Sequence, residues 1–180
     1  MHRVLLAGCT IAGLAGSARA EDAAGLRPQV QLDGGLSVIG LGYEHPVTAH
    51  IAIGVEAFVF GTYFLPWFDA GDKVAGFGGG IRPTWFARES GRGLYVAPYF
   101  RLVGVGEEIP SADGIGFATG VFVGWAFQLS SRLDLRIGGG GQFIHFHADG
   151  QADGQADGKT ERLTANTPFI ALDAVLGYRL

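Results

Sequence analysis

Apolar and polar residues exchange places at every second position through most of this chain, and a side-chain period of two is the period of a β-strand. The pattern is cleanest in TPFIALDAVLGYRL, residues 167 to 180. Pro168, Ile170, Leu172, Ala174, Leu176, Tyr178 and Leu180 form one side, and Asp173 and Arg179 fall on the other. The same alternation recurs in segments 29–33, 36–44, 50–60, 74–87, 93–105, 114–129 and 132–147, with the last strand read over 165–180. Eight strands result. The first, QVQLD, is the weakest and could instead be an extended lead-in to the second.

The connections alternate too. HPVTA, RESGR and LSSR are short, whereas GTYFLPWFDAGDK, GEEIPSAD and ADGQADGQADGKTERL are long. Such a rhythm puts every long connection at one end of an up-and-down antiparallel barrel, which a β-sandwich has no reason to do. The composition agrees: 48% of residues are hydrophobic and only 17% charged, and the 31 glycines sit inside strand-like segments such as GFGGGIRP and IGGGGQF. Glycine there weakens a soluble sheet, but it suits a small closed barrel whose wall bends sharply around a crowded interior.

The amino terminus reads as an export signal: a short basic start, the apolar stretch VLLAGCTIAGLAG, and a small-residue site ending at Ala20. Cleavage before Glu21 leaves residues 21–28 as a mature N-terminal segment and 29–180 as the barrel. Loss of Arg3 and Arg19 leaves 11 basic against 17 acidic residues, about −6, which argues against a nucleic-acid partner. LAGC, residues 6–9, resembles a lipobox, but only Val4 to Gly8 separate Cys9 from the basic start, too short an apolar region for such a signal. No later segment reaches eighteen consecutive apolar residues, so a membrane-spanning helix is not expected. A barrel strand needs only about 9 to 11 alternating residues to cross.

Parity therefore assigns faces. If the apolar face meets lipid, the polar face fills the interior. The expected inward charges are Glu44, Glu56, Arg82, Arg101, Asp134, Arg136, Asp173 and Arg179, four acids and four bases suited to a hydrogen-bonded ion-pair network. Tyr43, Trp67, Phe68, Trp85, Phe86, Trp125, Phe127, Phe143 and Tyr178 recur near expected strand ends, where several would suit interfacial bands. The fold class is all-β: an eight-stranded antiparallel transmembrane barrel.

Signal, strand rhythm and closing strand resemble those of small Gram-negative outer-membrane barrels, particularly the OmpA-like group. GYEHPVTAHIAIGVEA resembles that group's strand, periplasmic turn and strand, and TPFIALDAVLGYRL resembles its C-terminal assembly signal, with Tyr178 and Leu180 in the key places and Leu180 where Phe is more usual. The resemblance implies residence in the outer membrane among lipids and lipopolysaccharide, delivery by the barrel insertion machinery, and a structural or surface-interaction role. A narrow ion or small-solute pore is the alternative. Lipid A-modifying enzymes of this size are a weaker match, because His145-Phe146-His147-Ala148 lacks the His-x-Ser arrangement and Glu107 and Glu108 complete no recognisable triad. No cofactor or metal is expected. The DGQA repeat of residues 149–158 matches no calcium-loop pattern and reads as a solvated loop.

Overall fold

The computed structural model describes residues 25–36, 38–61, 75–106, 114–151 and 160–180. They form eight strands: β1 (Gln29–Gly34), β2 (Val38–Pro46), β3 (Ile51–Gly61), β4 (Ala75–Phe86), β5 (Gly93–Gly106), β6 (Gly114–Gln128), β7 (Leu133–Gln151) and β8 (Thr160–Arg179). Each pairs antiparallel with the next, and β1 pairs with β8, so the sheet closes on itself in sequence order. The lead-in alternative for the first segment is thereby removed. Gln29 to Gly34 pair with Glu44 to Ile39 on one side and with Arg179 to Ala174 on the other.

Closure gives every strand a neighbour on both sides, and an edge remains only where one strand outruns the next, as β8 does beyond the six positions it shares with β1. It also leaves two unlike faces. Outside stand Leu41, Val55, Ile81, Leu102, Ile137, Ile170 and Leu172, all exposed. Inside, Gln31, Asp33, Glu44, Arg82, Arg101, Arg136 and Asp173 are buried. This inverts the soluble pattern, in which exposed faces are polar.

The short turns explain themselves locally. In 47–50, the Thr48 hydroxyl accepts the backbone N–H groups of His50 and Ile51 at 3.2 and 3.0 Å. Ser130 does the same for Arg132 and Leu133 at 3.2 and 3.1 Å. A hydroxyl two and three residues before its donors holds a reversal without glycine. Between β4 and β5 the chain instead uses Gly91 at φ 69° and Gly93 at φ 85°, conformations costly for a side chain bearing Cβ.

Strand lengths depart from the sequence reading in two places. β2 runs to Pro46, because His45 and Pro46 still pair with Ile53 and Ala52. β7 and β8 run past their expected ends: Asp149, Gly150 and Gln151 pair with Arg162, Glu161 and Thr160. The start and end of the presumed long loop are thus strand, since backbone pairing asks little of the side chains. The wall is uneven in consequence, with 6 residues in β1 and 19 and 20 in β7 and β8. One ladder is interrupted: β4 and β5 pair from Ala75 to Ile81 and resume at Trp85, and in that register Pro83 and Pro98 face each other without an N–H between them.

A polar lumen as the candidate functional site

A narrow barrel can hold long side chains only where its neighbours leave room. Here the inward positions alternate between large and minimal residues across the strands. Glu56 lies between Gly42 and Gly80, Arg82 beside Gly54, Asp33 beside Gly40, Asp134 beside Gly177 and Asp173 beside Gly138. The clearance is small. A Cβ on Gly80 would stand 2.8 Å from Glu56 Oε1 and 2.9 Å from Arg101 Cγ, and one on Gly138 would stand 2.5 Å from the Tyr95 hydroxyl. Glycine in the middle of these strands supplies volume.

Into that volume the strands project one group of five charges, Asp33, Glu56, Arg82, Arg101 and Asp173, and two separate pairs, Glu44 with Arg136 and Asp134 with Arg179. Arg82 Nη1 donates to Asp33 Oδ2 at 2.8 Å and to Asp173 Oδ1 at 3.0 Å, and its Nη2 reaches Gln31 Oε1 at 3.0 Å. Arg101 donates through Nε and Nη2 to the two oxygens of Glu56 at 2.5 and 3.1 Å, and through Nη2 to Asp33 at 3.2 Å. Asp173 also accepts the Tyr95 hydroxyl at 2.5 Å. On the far side Glu44 takes both Nη atoms of Arg136 at 2.7 and 2.6 Å and the amide of Gln29 at 2.7 Å. Arg179 Nε donates to Asp134 at 2.5 Å. Forked guanidinium bonds of this kind are the strong class, and a low-dielectric interior strengthens them further.

All eight charges singled out from parity lie on the lumen side, and they do not form four separate pairs. Asp33 is the member that parity reading passed over. It makes the described interior carboxylates five to four guanidiniums, and it is held because Arg82 and Arg101 both reach it. Gln29, Gln31 and Gln142 were passed over as well: Gln142 shares the parity of Asp134 and Arg136, and Gln29 and Gln31 that of Asp33.

Apolar layers bound the charges. Phe86, Tyr95, Tyr99, Phe122 and Ala126 form one cluster, with Leu26 of the lead-in packed against it. Val38, Phe58 and Val103 form a second, joined by Phe60. The Arg101 guanidinium carbon lies 5.3 Å from the Phe58 ring centre and 4.8 Å from that of Tyr99, and that of Arg136 lies 4.8 Å from Phe86. Phe86, expected among the interfacial aromatics, is 0% exposed and belongs to this filling. Its parity matches Arg82, not Trp85. Tyr43, Trp85, Trp125, Phe127 and Tyr178 do stand on the outer face toward the short turns. Phe143 stands outside as well, stacked in a row with Phe117 and Phe100 on the other half of the wall. Trp67, Phe68, Glu107 and Glu108 lie outside the described residues.

His145 sits on that outer row, its ring 5.1 Å from Phe117 and its Nδ1 2.5 Å from Asn166 Oδ1. Among the described residues no three metal-ligating side chains gather. Tyr178 and Leu180 are exposed at the outer rim, where the Tyr178 hydroxyl accepts a bond from Arg132 at 3.1 Å.

The class these features define is a closed eight-stranded antiparallel β-barrel with an apolar outer wall and buried polar side chains on its lumen face. No family model matches the chain, and neither does any curated protein or solved structure.

Proposed function

We propose that the protein is a small integral barrel of a Gram-negative outer membrane, exported by a signal cleaved before Glu21, with a structural or surface-interaction role and no open pore. The outer face supports the membrane reading: it carries a continuous apolar surface with aromatics toward the short-turn rim, which water does not favour and a bilayer does. In this reading the short turns face the periplasm, and the closing strand with Tyr178 and Leu180 serves as the assembly signal for the insertion machinery.

One observation carries the closed lumen. Glu44, Arg82, Arg136 and Asp173 are exposed by 1%, 3%, 4% and 2%, which supports an interior occupied by paired side chains instead of a column of water. Opening one would strip buried charges of their partners, each at a cost of several kcal/mol. Planar-bilayer recording of the refolded protein tests this. Steady current at the baseline with rare, brief events is expected, whereas frequent long openings of fixed size would replace the closed barrel with a pore. Membrane fractionation with heat-modifiable gel migration tests the membrane assignment separately.

A further inference from the structure

We propose that the mouth of the barrel at the short-turn end is a binding site for a phosphate-bearing anion. A cavity of about 300 Å³ opens there, lined by Arg27, Arg92 and Arg179 together with Ser90, Gln128 and Ser131. A second, of about 220 Å³, shares Arg27 and Arg179 with it and adds Arg132 and Tyr178 at the outer rim. No acidic side chain lines either one, and the only carboxylate bordering them is the main-chain one of Leu180 at the second.

The arginines are unequally engaged. Arg179 gives its Nε to Asp134, and Arg132 reaches the Tyr178 hydroxyl. Arg27 and Arg92 have no ion-pair partner among the described residues. Clustered guanidiniums around one cavity repel each other unless an anion joins them, and the planar fork of arginine matches the oxygens of a phosphate. Ser90 and Ser131 add hydroxyl donors, and Ser131 is free for this because Ser130 is the one that holds the turn. The concentration of positive charge also runs against the whole chain, whose formal charge is −4 and whose acid-rich stretches GEEIPSAD and ADGQADGQADGK belong to the opposite connections.

The same chemistry is offered by a soluble phosphate ester in the mouth and by an anionic lipid headgroup at the rim, where Arg132 and Tyr178 adjoin the apolar wall. Two arms separate them. The chain from Glu21 onward, refolded in a nonionic detergent, is titrated with inorganic phosphate and with chloride at matched ionic strength while the unfolding midpoint is followed. Phosphate should raise the midpoint saturably beyond chloride, and Arg27→Gln and Arg92→Gln should each weaken that response about tenfold without moving the midpoint in chloride. The second arm compares phosphatidylcholine nanodiscs with and without phosphatidylglycerol. A midpoint raised by phosphatidylglycerol and returned by Arg132→Gln assigns the site to a headgroup, whereas a response to phosphate alone assigns it to a soluble ester. Equal effects of chloride and phosphate, or an undiminished phosphate response in the Arg27→Gln, Arg92→Gln double variant, would overturn the site.

Discussion

At the scale of the residue, the lumen is governed by which positions lack a side chain. Gly138→Ala would push its methyl against the Tyr95 hydroxyl and the bond to Asp173, so a loss of about 1 to 3 kcal/mol is expected from overpacking. Gly141, three residues on, faces outward with open space around it, and Gly141→Ala should be neutral or slightly stabilising. Urea unfolding of the two variants in lipid vesicles compares them directly. Arg82 is the other decisive residue. Arg82→Ala leaves Asp33 and Asp173 short of a partner and should cost about 3 to 5 kcal/mol, whereas Arg132→Ala, at an exposed rim, should leave stability nearly unchanged. Equal losses in the same assay would remove Arg82 from the centre of the network. Parity alone made Arg82, Arg101 and Asp173 legible in the sequence, because one polar residue among apolar alternates declares its side. Their partners were not legible: Arg82 and Asp33 are 49 positions apart, and only register brings them together.

Element by element, the strands differ in how much of them the sequence disclosed. β3 and β5 fall within a residue of their reading, since apolar alternation runs their full length and each starts from a short turn. β7 and β8 were underestimated because ADGQ carries no alternation, and their pairing there comes from extending a ladder already formed. Depth along a strand also decides what an outward substitution does. Leu135 lies only two residues into β7, near the short turns, whereas Ile81 lies mid-wall between Val55 and Phe100. Within a bilayer, arginine costs about 2 to 4 kcal/mol at mid-depth and about 0 to 1 near the interface. Ile81→Arg should therefore impair insertion strongly and Leu135→Arg mildly, as measured by the folded fraction on an unheated gel. Identical folding of Ile81→Arg and the unsubstituted protein would argue that this face does not meet lipid.

For the whole molecule, the proposed orientation has a direct readout. Asp157→Cys, between the long ends of β7 and β8, should react with an impermeant maleimide in intact cells, and Ser90→Cys, in the short turn between β4 and β5, only after the outer membrane is opened. Equal labelling of both before permeabilisation would reverse or abolish that topology. The closure of the ring carries a different consequence, one of folding order. Seven of the eight joints link strands adjacent in the chain, each able to form as a local hairpin within its own span. The eighth joins Gln29–Gly34 to residues 174–179 and encloses nearly the whole barrel while offering only six paired positions. The entropy of closing a loop rises with its length, so this seam, with no more paired positions than the β1–β2 hairpin, asks for the largest search. Loop entropy therefore predicts that it forms last. Substitutions in the shortest strand should accordingly slow closure more than equal ones within a hairpin, which stopped-flow refolding into vesicles would read.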